Sequence, residues 1–141
     1  KVLHPKGSLG AQLKTVEDLM IKGKKIPFIN QKLQMEKALN LITKKKLGVL
    51  IAVDNKKFTT GIITDGQIRR FSQKNIDLKN MKISEIMTKN PIGIDKNSLA
   101  AKALALMNSK RITSLCVYDK KRKYKTIGIL HIHNILQNNV S

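Results

Sequence analysis

The sequence predicts an α+β fold made of two copies of one β-α-β-β-α unit. An internal repeat is the first indication, since "MEKALNLITKKKLGVLIAVD" (35–54) resembles "AAKALALMNSKRITSLCVYD" (100–119) at an offset of 65 residues. Each copy also contains one segment with helical spacing of apolar residues and one continuous apolar run typical of a buried strand. Because a unit of roughly 60 residues is marginally stable alone, we expect the copies to pack on each other.

Each copy opens with a short helix that ends in a methionine, "VEDLM" (16–20) or "ISEIM" (83–87). An extended piece follows, "KIPFI" or "PIGI", because a proline disfavours helical backbone beside it. The main helix of each copy then carries apolar residues at i, i+3, i+4 and i+7. These residues are Met35, Ala38, Leu39 and Ile42 in the first copy, and Ala100, Ala103, Leu104 and Met107 in the second.

Two strands and a closing helix complete each copy. The apolar runs "GVLIAV" and "TSLCVY" predict a strand that is buried on both faces. A polar turn leads to the second strand, "TTGIIT" or "KTIGIL", and then to the closing helix, "DGQIRRFSQ" or "HNILQNN". The small changes of offset between the copies fall in the polar stretches, where loops absorb insertions.

The composition excludes several classes of protein. Hydrophobic residues make up 41% of the 141 residues, enough for a packed core, and no apolar run approaches the roughly 18 residues of a membrane span. The segment "KVLHPKGSLG" lacks the apolar stretch of a signal peptide and has no initiator Met, so we expect a fragment of a longer protein. The single cysteine, Cys116, excludes an intrachain disulfide, and it predicts a buried, unreactive thiol and a cytoplasmic protein.

The net charge of +19 does not by itself indicate nucleic-acid binding. Only four of the 28 basic residues are Arg, and the lysines are spread along the whole chain. Aromatic residues are only 4% of the sequence, so there is no stacking platform for single strands. We therefore expect no specific nucleic-acid partner, but a solvated cationic surface that attracts phosphorylated metabolites.

The stretch "GIITDGQIRR" (61–70) carries polar side chains at the point where a strand becomes a helix. Thr64 or Asp65 can cap the first N–H groups of that helix, and the same N–H groups can bind an anion. Arg69 can reach a bound phosphate, or it can pair with Asp65 one helical turn earlier. Both interpretations of the turn remain open at this stage.

His131 and His133 lie two residues apart, which places them on one face if the strand continues. Two histidines could begin a metal site, but no Cys or carboxylate stands nearby in sequence to complete it. We therefore predict no metal and expect solvated or cleft-lining histidines. The chain also shows no nucleophile–base pair and no glycine-rich phosphate loop.

The order of these blocks over residues 16–138 resembles a tandem pair of cystathionine-β-synthase (CBS) domains. The resemblance implies two sheets packed side by side, with a cleft that often binds adenosine nucleotides. The family signature is Gly, two residues, Thr or Ser, two residues, Asp, with the Thr and Asp near phosphate and ribose. Gly61 and Thr64 match it in the first copy, where Gln67 stands in place of Asp. In the second copy only the glycine matches. Its signature positions are Gly128, His131 and Asn134.

The opening segment "LHPKGSLG" (3–10) resembles the linker of bacterial D-arabinose 5-phosphate isomerases, in which a sugar isomerase (SIS) domain precedes a CBS pair. The phrases "GIITDGQIRR" and "HIHNIL" are similar to that family as well. This resemblance implies residues 1–13 as linker, 14–78 as the first CBS domain and 79–141 as the second. It also implies that His4 acts near the active site of the parent enzyme, because a base titrating near neutral pH suits aldose–ketose isomerisation.

These resemblances predict the regulatory and oligomerisation module of an isomerase that supplies arabinose 5-phosphate for Kdo and lipopolysaccharide synthesis. The fragment itself is expected to be inactive, to bind no cofactor and no membrane, and to dimerise through its CBS domains within a tetrameric parent. A nucleotide or sugar nucleotide is the expected class of effector. The alternative is a stand-alone sensor of adenosine nucleotides.

Overall fold

The computed structural model describes residues 13–74 and 76–140, which form six α-helices and two four-stranded sheets. The helices are α1 (Val16–Leu19), α2 (Met35–Lys45), α3 (Asp65–Ser72), α4 (Ile83–Ile86), α5 (Ala100–Lys110) and α6 (Ile132–Leu136). The strands are β1 (Ile21–Lys22), β2 (Phe28–Asn30), β3 (Val49–Val53), β4 (Thr59–Thr64), β5 (Thr88–Lys89), β6 (Gly93–Asp95), β7 (Ser114–Tyr118) and β8 (Gly128–His131). The predicted α+β class and the two β-α-β-β-α copies are confirmed.

The two sheets have the same topology. One has the order β2-β3-β4-β5 and the other the order β6-β7-β8-β1. In each sheet the first two strands are parallel and joined by a main helix, and the other two pairs are antiparallel. Strand β3 is buried at all five positions, as its unbroken apolar run predicts.

Each main helix packs its apolar face on its own sheet. In α2, Met35, Ala38 and Ile42 are buried, and α5 buries the equivalent positions of the second copy. Both helices are followed directly by a residue with left-handed backbone, Lys46 at φ 57° and Arg111 at φ 56°. This conformation turns the chain sharply into the buried strand that follows.

The compact units of the structure differ from the sequence copies in their opening segments. One unit, the middle unit, spans Lys24–Pro91, and the other, the outer unit, joins the described residues before Lys24 to those from Ile92 onward. Helix α1 and strand β1 come from the first copy, yet β1 pairs with β8 of the second. Likewise α4 and β5 open the second copy, yet β5 pairs with β4 of the first. Each sheet is thus completed by the opening strand of the other copy.

Several local boundaries shift from the prediction by a few residues, and the closing helix of the second copy, predicted at 133–139, spans Ile132–Leu136. The second strand of the second copy was expected at 125–130, but β8 spans Gly128–His131. Residues before it are held in reverse turns, because the Arg122 N–H donates to the Asp119 carbonyl at 2.8 Å and the Lys125 N–H donates to the Arg122 carbonyl at 3.1 Å. Among the described residues, no helix has the length and apolar character needed to cross a membrane.

Candidate functional site

The turn between β4 and α3 is held by a reciprocal cap. Thr64 has extended backbone at the N-terminal boundary of α3, and its Oγ1 accepts a hydrogen bond from the Gln67 N–H at 3.2 Å. In return, the Gln67 Oε1 accepts from the Thr64 N–H at 2.9 Å. This is a capping box, which satisfies two N–H groups that the helix itself cannot pair. The capping interpretation of Thr64 is therefore observed, and anion binding at this turn stays a prediction.

Gln67 has a second function in the same turn. Its side chain is buried, with 8% of the residue exposed, and its Nε2 donates to the Thr88 Oγ1 at 2.6 Å and to the Ile86 carbonyl at 3.5 Å. The amide thus links α3 to the segment that forms α4 and β5. This contact could not be predicted from local patterns, because Thr88 lies 21 residues away in a short strand.

Asp65 and Arg69 are both exposed on α3. The Asp65 backbone N–H donates to the Gly48 carbonyl at 3.0 Å, so the start of the helix is tied to the residue before β3. In the described part of the chain no ion pair joins Asp65 and Arg69. Arg69 therefore remains available at the helix surface for an anionic group.

The glycines that precede the two turns allow close packing. Gly61 in β4 lies beneath Met87, and Gly128 in β8 lies beneath Met20 in the same manner. A Cβ atom at Gly61 would lie 2.5 Å from the Met87 Sδ and 2.9 Å from the Thr88 carbonyl oxygen. These glycines thus let the exchanged edge strands approach, which is a structural reason for their presence at both equivalent positions.

The turn between β8 and α6 has a different capping chemistry. The His131 Nδ1 accepts a hydrogen bond from the His133 N–H at 3.1 Å, and the Asn134 Oδ1 accepts from the His131 N–H at 2.9 Å. Because Nδ1 of His131 is an acceptor, the neutral ring carries its proton on Nε2. The strand ends at His131, so the two histidines are brought together by the helix start and not by a continuing strand.

The two imidazole rings are stacked, with centroids 4.8 Å apart and planes inclined by 25°. Burial lowers the pKa of His131, and the neighbouring His133 lowers it further. Parallel stacked rings with one Nδ1 occupied are poorly arranged to chelate one ion. Among the described residues, no group of three or more His, Cys, Asp or Glu side chains could hold a metal.

The lowered pKa of His131 predicts a pH dependence of stability. The unfolded chain protonates His131 near pH 6.5, whereas the folded chain does so only at a lower pH. Neutral His131 therefore contributes its full stabilisation of the fold above about pH 6.5. This stabilisation is lost as the pH falls through the pKa that His131 has in the folded state. We expect the free energy of unfolding, from urea titrations at pH 7.5 and 5.5, to fall more in wild type than in His131→Asn, which caps without titrating. Equal pH dependence in both proteins would show that His131 does not contribute.

Two charged groups of the outer unit were missed by sequence reasoning. Asp95, at the end of β6, is 7% exposed, and its Oδ1 accepts from the Asn97 N–H at 2.8 Å while its Oδ2 has no hydrogen-bond partner. The Lys96 Nζ lies 3.6 Å from the Glu17 Oε2 and 3.4 Å from the Asp119 Oδ2. These carboxylates raise the pKa of Lys96, and Glu17 has the larger effect. Lys96 thus joins α1 to the turn after β7. No spacing rule could have linked these residues, which are far apart in sequence.

Two other predictions have different outcomes. Cys116 is buried in β7, as predicted, and burial raises the pKa of its thiol to about 11, which disfavours the reactive thiolate. His4 lies outside the described residues, and its catalytic role stays a prediction.

Chemically, the two turns offer hydrogen-bond donors and acceptors but no nucleophile with an adjacent base. Their polar atoms are the Thr64 hydroxyl, the exposed Asp65 and Arg69 side chains, and the His131, His133 and Asn134 side chains. Such groups can bind a polar ligand, but they do not assemble an acid–base pair for catalysis among the described residues.

Comparison with known proteins identifies the repeated unit. The family profile of the CBS domain matches residues 16–74 and again residues 83–140. The arabinose 5-phosphate isomerase KdsD of Yersinia pestis is 38% identical over 135 residues, which cover 95% of this chain but 40% of that protein. The chain therefore spans less than half of the length of this isomerase relative.

Solved structures of CBS proteins share the fold. CBSX2 in complex with AMP superposes with a TM-score of 0.71 at 22% identity, over 87% of this chain and 93% of that chain. The CBS domain pair of protein MJ0100, solved with 5′-methylthioadenosine and S-adenosyl-L-methionine, superposes with a TM-score of 0.78 at 23% identity, over 89% and 94%. At these identities the comparison establishes the fold.

Proposed function

Since this chain belongs to the CBS domain family, with both copies matched, we propose that it is the regulatory and assembly module of an arabinose 5-phosphate isomerase. The observation that carries the proposal is the 38% identity to the isomerase KdsD over 95% of the chain. The described residues include no nucleophile–base pair, so the isomerisation is assigned to a preceding SIS domain of the parent protein. His4 is the residue of this chain assigned to that chemistry.

The proposed reaction converts ribulose 5-phosphate into arabinose 5-phosphate, in the cytoplasm, for the Kdo sugar of lipopolysaccharide. The CBS module binds a small effector and changes the activity of the parent enzyme. It does so if the effector has different affinities for two arrangements of the parent, since a ligand shifts only an equilibrium whose states it distinguishes. Self-association of the module, as a dimer within a tetrameric parent, is part of the same proposal.

Adenosine compounds are the first class of effector to test. The solved structures of CBSX2 and of protein MJ0100 contain AMP, 5′-methylthioadenosine and S-adenosyl-L-methionine. These ligands support a nucleotide-binding role for one or both of the strand-to-helix turns, which contain Thr64 and His131. The pathway product CMP-Kdo and the sugar phosphate itself are the second class, because an effector of a biosynthetic enzyme is often its own product or a later one.

The alternative function is a stand-alone sensor of adenosine nucleotides. It is favoured by the nucleotides in the related CBS structures. However, it does not explain the similarity to the isomerase over 135 residues. A gene with no SIS domain upstream of Lys1 would favour the sensor, and a SIS domain there would favour the isomerase.

The test combines binding and activity. Thermal unfolding of the chain is followed with AMP, ADP, ATP, S-adenosylmethionine, CMP-Kdo and arabinose 5-phosphate, because a ligand of the folded state raises its stability. We expect a shift with one class, reduced in Thr64→Ala or in His131→Ala, and the same compound should change the isomerase rate of the full-length protein. No shift with any compound would overturn the effector role. A full-length protein without isomerase activity would overturn the parent assignment.

A further inference from the structure

The two copies differ most clearly at the third residue of the closing helix, which is Gln67 in one and Asn134 in the other. The Gln67 carboxamide is engaged at both ends. Its oxygen accepts from the Thr64 N–H at 2.9 Å, and its nitrogen donates to the Thr88 Oγ1 and the Ile86 carbonyl. A primary amide has two N–H groups, so both donors of this buried side chain are used.

Within residues 13–74 and 76–140, Asn134 makes only the capping half of this pattern. Its Oδ1 accepts from the His131 N–H at 2.9 Å. The position equivalent to Thr88, 67 residues earlier, is Ile21, whose side chain cannot form a hydrogen bond. Strand β1 is therefore paired with β8 through Ile21 and Lys22 without the side-chain link that β5 receives.

We infer that Gln67 is a positioning residue that clamps strand β5, and that this clamp closes the first strand-to-helix turn to ligands. A ligand that takes the Gln67 amide must first break its bonds to Thr88 and Ile86. Gln67 and Ile86 are buried, so leaving the amide and the Ile86 carbonyl unpaired lowers affinity by roughly tenfold to a hundredfold, whereas the exposed Thr88 hydroxyl can bond to water. The ligand part of this inference rests on the proposed effector binding, and the clamp itself does not.

The clamp acts on strand β5, which has few other attachments. Strand β5 has two residues, paired to β4 at Gly61 and Ile62. A two-residue edge strand has few ladder hydrogen bonds, so one short side-chain bond of 2.6 Å is a large share of its attachment. Through β5 the clamp also fixes Met87, whose side chain covers Gly61.

Hydrogen exchange of the ligand-free chain tests the clamp. Thr88→Val removes the bond and keeps a β-branched residue, and Gln67→Met removes the amide at nearly constant length. We expect each to speed exchange at Thr88 and Lys89 about tenfold, and the double variant to be no faster than the singles, because they break one interaction. The matched control is Asn134→Leu, which should leave exchange at Ile21 and Lys22 unchanged. Unchanged exchange at Thr88 in Thr88→Val and in Gln67→Met would overturn the clamp.

Calorimetric titration with AMP tests the closure. We expect wild type to bind no more than one AMP per chain. Thr88→Val frees one N–H of Gln67, so this variant should bind AMP at least tenfold more tightly at the first turn or gain a second site. The closure is wrong if a wild-type chain binds two AMP molecules. It is also wrong if AMP binding is lost in Thr64→Ala but is equally tight in wild type and in Thr88→Val. If no variant binds AMP, the adenosine-nucleotide form of the effector proposal fails, and hydrogen exchange alone decides the clamp.

Discussion

The substitution Leu50→Ala is expected to lower the free energy of unfolding by about 3 kcal/mol. Leu50 is 0% exposed in β3, and it belongs to the buried cluster of the middle unit with Ile29 and Met35. Truncation removes apolar contacts and leaves a cavity, because packed neighbours relax only in part. Urea unfolding followed by circular dichroism would measure the loss.

A matched control separates core packing from the general effect of shortening a leucine. Leu136 in α6 is 49% exposed, so Leu136→Ala should cost less than about 1 kcal/mol, and alanine favours the helix. Leu115 is the equivalent of Leu50 in the second copy and is also 0% exposed. Leu115→Ala should therefore resemble Leu50→Ala. A loss below 1 kcal/mol in Leu50→Ala would contradict the buried position of β3.

Gly61→Ala should lower the free energy of unfolding by about 2 kcal/mol, because the added methyl group has no space. The nearest atoms to its Cβ would be the Met87 Sδ at 2.5 Å, the Met87 Cγ at 2.7 Å and the Thr88 carbonyl oxygen at 2.9 Å. The methionine side chain can change rotamer, but the carbonyl belongs to β5, so strands β4 and β5 must separate. The same urea titration would measure the loss.

Gly66→Ala is the control for this experiment. Gly66 lies in the first turn of α3, and the nearest atom to an added Cβ is the Arg70 Nη1 at 3.3 Å, the end of a flexible side chain. Alanine should therefore be neutral or stabilise α3 by up to about 1 kcal/mol. If Gly61→Ala cost no more than Gly66→Ala, the close approach of β4 and β5 would be wrong.

Much of the fold could be predicted from local patterns. The spacing of Met35, Ala38 and Ile42 predicts the face of α2 that is buried, and the unbroken apolar run of β3 predicts its burial on both faces. The buried thiol of Cys116 follows from the same reasoning. These features are predictable because burial of an apolar face depends on residues that are neighbours in sequence.

The candidate site was predicted in part. Thr64 stands where a cap is needed, and the structure has it as a cap, but the sequence could not decide between a cap and an anion site. The difference between Gln67 and Asn134 is visible in the sequence as a departure from the family signature. Its structural consequence is not visible, because it depends on whether residue 88 or residue 21 presents a hydroxyl to the amide.

The sequence by itself determined that this protein has two α+β copies, their main helices and their buried strands, since each depends on hydrophobic periodicity within a short segment. The tertiary structure alone decided that each sheet takes its last strand from the other copy, and that Gln67 holds that strand in one sheet only. A two-residue strand carries no periodicity of its own. The strand with which it pairs depends on tertiary contacts. For β5 these are the packing of Met87 over Gly61 and the hydrogen bond from the buried Gln67 amide to the Thr88 hydroxyl.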